Sequence, residues 1–481
     1  MTAGSGSETN ETPAAHLKRA LGVWDLTWLS IVAIANLNVV PVIAAAGATT
    51  MWLWVAALLF FFLPQGIGVI ELSHRFPQEG GVYAWTKEMF GDLHGFLCGW
   101  CYWTCNMFFI PTLLFYLLGT AAYIGGGSIA RLSENSLIFG AVAIGLIWLT
   151  ALANILGIGV GKWVNNIGGL GTIVAASLLI ALGVMAVTRF GVTLPASSFR
   201  FGHLDWSVLS TFGLVCFALV GLELGCVMGD EIRDPRRSVP RGVLYGGVLS
   251  GIQYLGATLA LLLAVPQRDM KVLQGVVQAV DKMTGKLGTT WALLPIVLLV
   301  AVSTIGATSA WLSGSARILF VSGIDRYLPK ILGRLHPKYA TPYVALIGIS
   351  ALCSCLIAMS FAGETSVREA YMTLLDMAVV LQMIAYFYVY ASLARIAFAK
   401  TAGEGRFAPW QIRFAAISGL GATAVGIIVA FVPSRQVDSV WRFEIKMFLS
   451  CAVFLATAAG LFIYYSRRKV DAAAIPAAVE V

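Results

Sequence analysis

Twelve times along this chain an apolar run of about twenty residues recurs, the length a helix needs to cross the ~30 Å hydrocarbon core of a bilayer. The runs centre near 24–46, 50–73, 93–123, 136–157, 164–188, 207–228, 242–265, 287–320, 344–361, 370–396, 411–433 and 444–466. In lipid, backbone N–H and C=O groups must find partners inside the protein, and a helix supplies them from its own segment. With 58% hydrophobic and only 12% charged residues, the composition excludes a soluble domain. The expected fold class is therefore an all-α polytopic membrane protein with twelve transmembrane helices.

Charge sets the expected orientation. Placing both ends inside puts 21 of the 32 Lys and Arg on the cytoplasmic face, as the positive-inside rule requires. The net charge of +8 follows from that face and needs no nucleic-acid partner. Residues 1–20 are Ser-, Thr-, Gly- and Glu-rich, end in His16, Lys18 and Arg19, and lack the apolar core of a cleavable signal. They read as a disordered cytoplasmic tail, and 469–481 as a second one, in a protein of the plasma (inner) membrane.

The stretch Thr211–Pro240 departs most from a plain apolar helix. It carries Ala218, Gly221 and Glu223 where hydrocarbon is expected, then a charged loop ending in Pro240. A carboxylate at bilayer depth costs ~2.5–3.5 kcal/mol on insertion scales, so Glu223 needs a function or a partner. Segment 1 is interrupted similarly, at Asn36, Asn38 and Pro41, about twelve residues in. Interrupted helices at matching places in two halves point to an inverted repeat, although Gly and Pro are common in membrane helices in any case. On the repeat reading, 21–190 holds segments 1–5, 205–398 holds segments 6–10, and 409–468 adds two more.

Four stretches then carry a family resemblance. FPQEGGVYAW (Phe76–Trp85) resembles the Pro-x-x-Gly-Gly-x-Tyr-x-Trp loop of the amino acid–polyamine–organocation (APC) superfamily. FALVGLE (Phe217–Glu223) and DEIRDPRRSVPRG (Asp230–Gly242) resemble its helix 6 break and the acidic and basic loop after it, and Ser309–Leu346 resembles the end of helix 8 and its following loop. The resemblance implies a LeuT-like five-plus-five inverted repeat plus two helices, with the substrate at the midplane between broken helices 1 and 6. It further implies a carboxylate bound near Ala35, Asn36, Leu37 and Asn38, and an ammonium near Phe217, Ala218 and Gly221. One departure stands out: the usual Gly-Ser-Gly turn of helix 1 is replaced by AIANLN, whose asparagine amides bind amines or carboxylates equally well.

Around this site several residues remain open to two readings. Glu223 either attracts an ammonium or carries a proton, or it anchors the break; Asp376 either draws cations inward or lies near the interface. Trp100, Tyr102, Trp103, Phe108, Phe109 and Phe217 are aromatics that could gate or stack on a substrate cation, Trp103 and Phe217 foremost, while most of the others face lipid or core. Thr172 occupies the helix 5 position where sodium-independent relatives keep a lysine, and the nearest lysine, Lys162, lies at the segment's cytoplasmic start. Ser303, Thr304, Thr308 and Ser309 offer hydroxyls for sodium, yet such hydroxyls more often bond their own helix. Asp230, Glu231, Arg233, Asp234, Arg236 and Arg237 either form an inner gate of breakable ion pairs with Arg75, Lys87 or Glu88, or serve as topology signals and solvated charge.

No enzyme or cofactor site is expected. The five histidines lie in tails or loops, and Cys98, Cys101 and Cys105 share a helical face without His or carboxylate company, so no metal is expected. The expected function is secondary active transport of a neutral or cationic amino acid by alternating access, proton-coupled or exchanging. The partners are then that small molecule, the lipid bilayer, and a proton or sodium ion. A polyamine or organic amine transporter is the alternative, and a transporter-like membrane sensor is the alternative of another class.

Overall fold

The computed structural model describes residues 19–125, 136–191, 194–200, 206–325, 327–363, 367–399, 404–431 and 440–474. In chain order the helices are α1 (Val23–Ile34), α2 (Val40–Ala45), α3 (Thr50–Arg75), α4 (Val82–Phe90), α5 (Asp92–Ile124), α6 (Ser136–Ile155), α7 (Ile158–Phe190) and α8 (Phe212–Ala218). They continue as α9 (Leu224–Val227), α10 (Pro235–Ala264), α11 (Gly275–Leu287), α12 (Leu293–Ile324), α13 (Tyr343–Gly363), α14 (Val367–Ala397), α15 (Pro409–Ala430) and α16 (Val440–Ala474). Among the described residues ten helices are long and apolar enough to cross a membrane: α3, α5, α6, α7, α10 and α12 to α16. The protein is all-α and polytopic.

Packing places the two interrupted stretches at the centre. The first, α1, lies against α7 and α10, while α12 lies against α5 and α7, and α5 against α14. The α7–α12 crossing is close because Gly168 faces Gly306; a Cβ on either would fall 2.6 Å from the other's Cα. Small residues at such crossings let membrane helices meet at backbone distance, where packing rather than hydrophobicity holds them.

Several boundaries differ from the sequence reading. The helices expected at 164–188 and 242–265 begin earlier, at Ile158 and Pro235: a glycine-interrupted stretch ending in Lys162 opens the first and a basic, proline-bearing turn opens the second, and neither extends the apolar run. Pro235 sits in the first turn of α10, where its missing N–H costs no helical bond. Two amphipathic helices, α4 and α11, occupy stretches read as loops. The C-terminal tail expected from 469 is helical to Ala474. At the other end most of the expected tail, residues 1–18, lies outside the described residues. Ala20 and Leu21 are paired: both N–H groups donate to the Glu231 carbonyl at 2.8 and 3.0 Å.

Candidate functional site

The first break falls where the asparagines stand. Helix α1 ends at Ile34 and α2 begins at Val40 with Pro41 in its first turn. The carbonyls exposed by the break are taken up by aromatic donors: Trp311 Nε1 donates to Ala33 O at 3.1 Å, and the Tyr254 hydroxyl donates to Ile34 O. Tyr254 also accepts the Asn36 N–H at 3.0 Å. The Asn36 amide turns back onto Ala33 O, and Asn38 O accepts the Tyr371 hydroxyl at 2.9 Å. Asn36 thus caps the interrupted chain, while the Asn38 side chain leaves its Oδ1 buried without a hydrogen-bond partner among the described residues. Ala35 and Leu37 are buried within it.

The second break separates α8 from α9 and turns at Gly221, whose φ of +136° favours glycine. A Cβ there would stand 2.9 Å from Ile34 Cγ1 and 3.1 Å from Ala33 Cβ, so glycine also lets the two breaks touch. Glu223 is fully buried behind the turn. Its Oε2 accepts the Gly221 N–H at 3.1 Å, Gln65 Nε2 at 3.2 Å and the Tyr386 hydroxyl, and its Oε1 accepts the Tyr102 hydroxyl at 3.0 Å. Four donors from the break itself, α3, α5 and α14 converge on one carboxylate. That satisfies a buried charge where isolation would be prohibitive.

Between the breaks lies a cavity of about 10 Å³, room for about one water. Asn36, Phe217 and Ala218 of the expected set line it, joined by Asn106, Trp311 and Gln382. Phe109 meets Phe217 and Trp311 edge-on, with ring centroids 5.0 and 6.1 Å apart. Both amide atoms of Gln382 and Oδ1 of Asn106 are buried without a hydrogen-bond partner among the described residues. Every side chain lining the cavity is uncharged. Gly221 and Glu223 stand outside its wall, and Trp103 packs edge-on against Trp100.

The hydroxyls considered for ion coupling are engaged internally. Thr172 donates to Gly168 O at 2.9 Å and meets Ser303; Thr304 and Thr308 donate to Val300 O and Thr304 O, each at 2.8 Å. Ser309 accepts Asn154 Nδ2 at 3.0 Å. Lys162 pairs with Asp25 at 3.1 Å. Asp376 is half-buried on α14.

At the end of the molecule that holds the 76–81 loop, closure is mostly backbone on backbone. Gly80 N–H donates to Val227 O at 3.0 Å, and Arg233 N–H to Leu21 O at 2.8 Å. The expected ion pairs have other partners in this conformation. Glu231 forms a buried pair with Arg317 at 2.8 Å, Arg75 bonds Glu71 at 2.8 Å, and Lys87 bonds Asp325 at 2.7 Å. Asp230 contributes its N–H to Glu79 at 2.9 Å, and the Arg233 side chain is exposed, reaching only Arg19 O at 3.4 Å. Burial, then the neighbouring Glu231 carboxylate, hold Glu79 well above the usual carboxylate range, with Arg317 and the Asp230 N–H pulling the other way.

Sequence reasoning passed over Gln65, Asn106, Tyr254, Trp311, Gln382 and Tyr386. The three amides carry a signal that was there to read: each interrupts an otherwise apolar helix, which in a membrane means an internal partner or a ligand. The aromatics carry none, since a tyrosine hydroxyl aimed at a broken helix looks in sequence like any core tyrosine.

The profile of the amino acid permease family matches residues 21–457. The chain is 27% identical to an uncharacterized transporter of Legionella pneumophila, over 89% of this chain and 93% of that one. It is 23% identical to a probable agmatine/putrescine antiporter of Lactococcus lactis over 74% of each chain. It is also 26% identical to a branched-chain amino acid permease of Bacillus subtilis, over 68% of this chain and 72% of that one.

Proposed function

Because this chain belongs to the amino acid permease family of the APC superfamily, and is thus a membrane-embedded secondary transporter rather than an enzyme, we propose that it carries a small zwitterionic amino acid with an uncharged side chain. One observation carries the reading: the cavity between the breaks is uncharged yet holds three unpartnered amide atoms, on Gln382 and Asn106. A buried polar group without a partner costs about 1–3 kcal/mol, so these atoms are arranged for a ligand that donates and accepts. The carboxylate takes the first break, Ala35 to Asn38, and the ammonium the second, Phe217 to Gly221. Phe109, Phe217 and Trp311 then enclose the side chain.

Glu223 belongs to this reading as the anchor of the second break, because its four donors already satisfy it. Coupling in this reading is by proton or exchange. Counting each broken helix as one crossing gives twelve spans, arranged as the five-plus-five inverted repeat with both ends cytoplasmic in the plasma membrane. The 76–81 loop with Asp230, Glu231, Arg233 and Arg317 forms the inner gate, closed here, and alternating access opens it. A diamine is the second reading, favoured by the similarity to the agmatine/putrescine antiporter.

Purified protein in liposomes, offered labelled neutral amino acids and diamines under imposed pH and sodium gradients, tests both. Uptake or exchange of a neutral amino acid independent of sodium is expected. Diamine flux without amino acid flux moves the assignment to the second reading, and specific binding without flux of either class overturns transport in favour of a sensor.

A further inference from the structure

A second concavity opens on the outer surface of the bundle, between α3 and α10. Its walls run from Leu58 to Ile70 on one helix and from Val243 to Leu255 on the other, and it measures about 450 Å³. Every lining side chain is apolar, with Leu63, Leu244, Val248 and Ile252 each more than half exposed. Twelve helical steps on each wall give a length of about 18 Å, close to the ~15 Å depth of one leaflet's hydrocarbon.

The depth of the groove does not come from tight helix packing. A Cβ on Gly247 would sit 3.5 Å from Leu222 and Phe62, an ordinary contact, so glycine here leaves room. A π-helical turn at Leu58–Phe62 shapes the far end, an irregularity often found at functional positions.

The near end is basic. Phe407 closes the groove, and beside it Arg406 donates from Nη1 to Arg236 O at 3.1 Å. Arg237 and Arg241 continue the Leu244–Val248 face of α10 at helical spacing, and all four arginines are exposed. Among the described residues none of them has a carboxylate within salt-bridge distance, since Glu71 is taken by Arg75 and by the N–H groups of Arg406 and Phe407.

We infer that this groove holds one acyl chain of an anionic phospholipid whose phosphate rests on the arginines at its basic end. Groove length, wholly apolar walls and unpaired guanidinium groups at one end match a chain of one leaflet's depth attached to a negative headgroup. Leu222 forms part of the groove floor and adjoins Glu223, so the bound chain touches the second break from behind. Lipid occupancy therefore stabilises the conformation in which that break is packed as seen here.

The test uses full-length protein, stripped of lipid in neutral detergent and titrated with phosphatidylglycerol or with phosphatidylcholine of the same chains. Thermal unfolding and native mass spectrometry read stabilisation and retained lipid. Phosphatidylglycerol is expected to stabilise more, with each of Arg236→Gln, Arg241→Gln and Arg406→Gln lowering its apparent affinity about fivefold, the worth of one cation near an anionic lipid. Val248→Trp, filling the groove, is expected to remove one retained phosphatidylglycerol while leaving the arginines intact. Equal stabilisation by phosphatidylcholine reduces the groove to ordinary annular lipid and overturns the site. Unchanged phosphatidylglycerol retention in both Val248→Trp and the arginine variants overturns it as well, as does a dimer that seats this face between two copies.

Discussion

The Tyr102 hydroxyl donates to Glu223 Oε1 at 3.0 Å, tying the middle of α5 to the second helix break. Deleting it by Tyr102→Phe leaves Glu223 with three other donors, so a loss of about 1–3 kcal/mol in stability is expected. Glu223→Ala strands several donors at once and should destabilise more than any single donor deletion. Thermal unfolding measures both. The contrasting outcome, Glu223→Gln with wild-type stability but sharply weakened substrate binding, would return this carboxylate to the substrate side of the pathway.

Glu231 and Arg317 form a fully buried, two-pronged pair beneath the second break. Removing one partner leaves an uncompensated buried charge, with an expected cost of about 3–5 kcal/mol in either Glu231→Leu or Arg317→Met. The double variant Glu231→Leu/Arg317→Met should recover much of that loss, because an apolar pair avoids desolvating charge. A double-mutant cycle on thermal stability checks it: additive losses would mean that the two side chains act independently.

Proton linkage at the same gate follows from Glu79. Its carboxyl is pushed well above the usual range by burial first and by Glu231 second, against Arg317 and the Asp230 N–H. If opening the gate hydrates it, its pKa falls back toward the ordinary carboxylate range. The closed state then binds the proton more tightly, so acid favours closure, and that advantage is lost as pH rises through the raised value. Glu79→Gln mimics the protonated form and should keep the gate closed at all pH. Transport by proteoliposomes across a pH series on the gate side should then be flat in the variant and pH-dependent in the wild type. Identical profiles would rule Glu79 out as the titrating group.

The helices and both breaks were legible because each leaves a mark in one dimension. Apolar runs set the spans; Asn36 and Pro41 mark the first interruption, and Gly221 the second. Helix starts at Ile158 and Pro235 were hidden, since Gly159, Gly161 and Lys162 in the one and Arg236, Arg237 and Ser238 in the other look like loop. What surrounds the site was harder still. Glu223 stood out as a charge in hydrocarbon, but three of the donors that hold it lie 121 to 163 residues away along the chain, at Tyr102, Gln65 and Tyr386. The proposed inner gate illustrates the same limit: Glu231 stood out as a candidate gate charge, while Arg317, its partner, follows only from how α12 passes the loop.

Gly221→Ala separates the two demands that meet at the second break. The first is torsional: φ of +136° lies outside the regions open to L-residues, and strain of this kind costs on the order of 1–3 kcal/mol. The second is steric, because the added methyl would lie 2.9 Å from Ile34 Cγ1 and 3.1 Å from Ala33 Cβ. The variant should therefore push the breaks apart and lower both stability and transport. Ile34→Ala on that background removes the nearer contact but neither the torsion nor Ala33, so partial recovery of stability is expected. Full recovery would mean that crowding alone requires glycine. No recovery, measured against the Ile34→Ala single variant, would mean that the backbone angle together with the remaining Ala33 contact requires glycine, leaving the Ile34 contact a consequence of the turn.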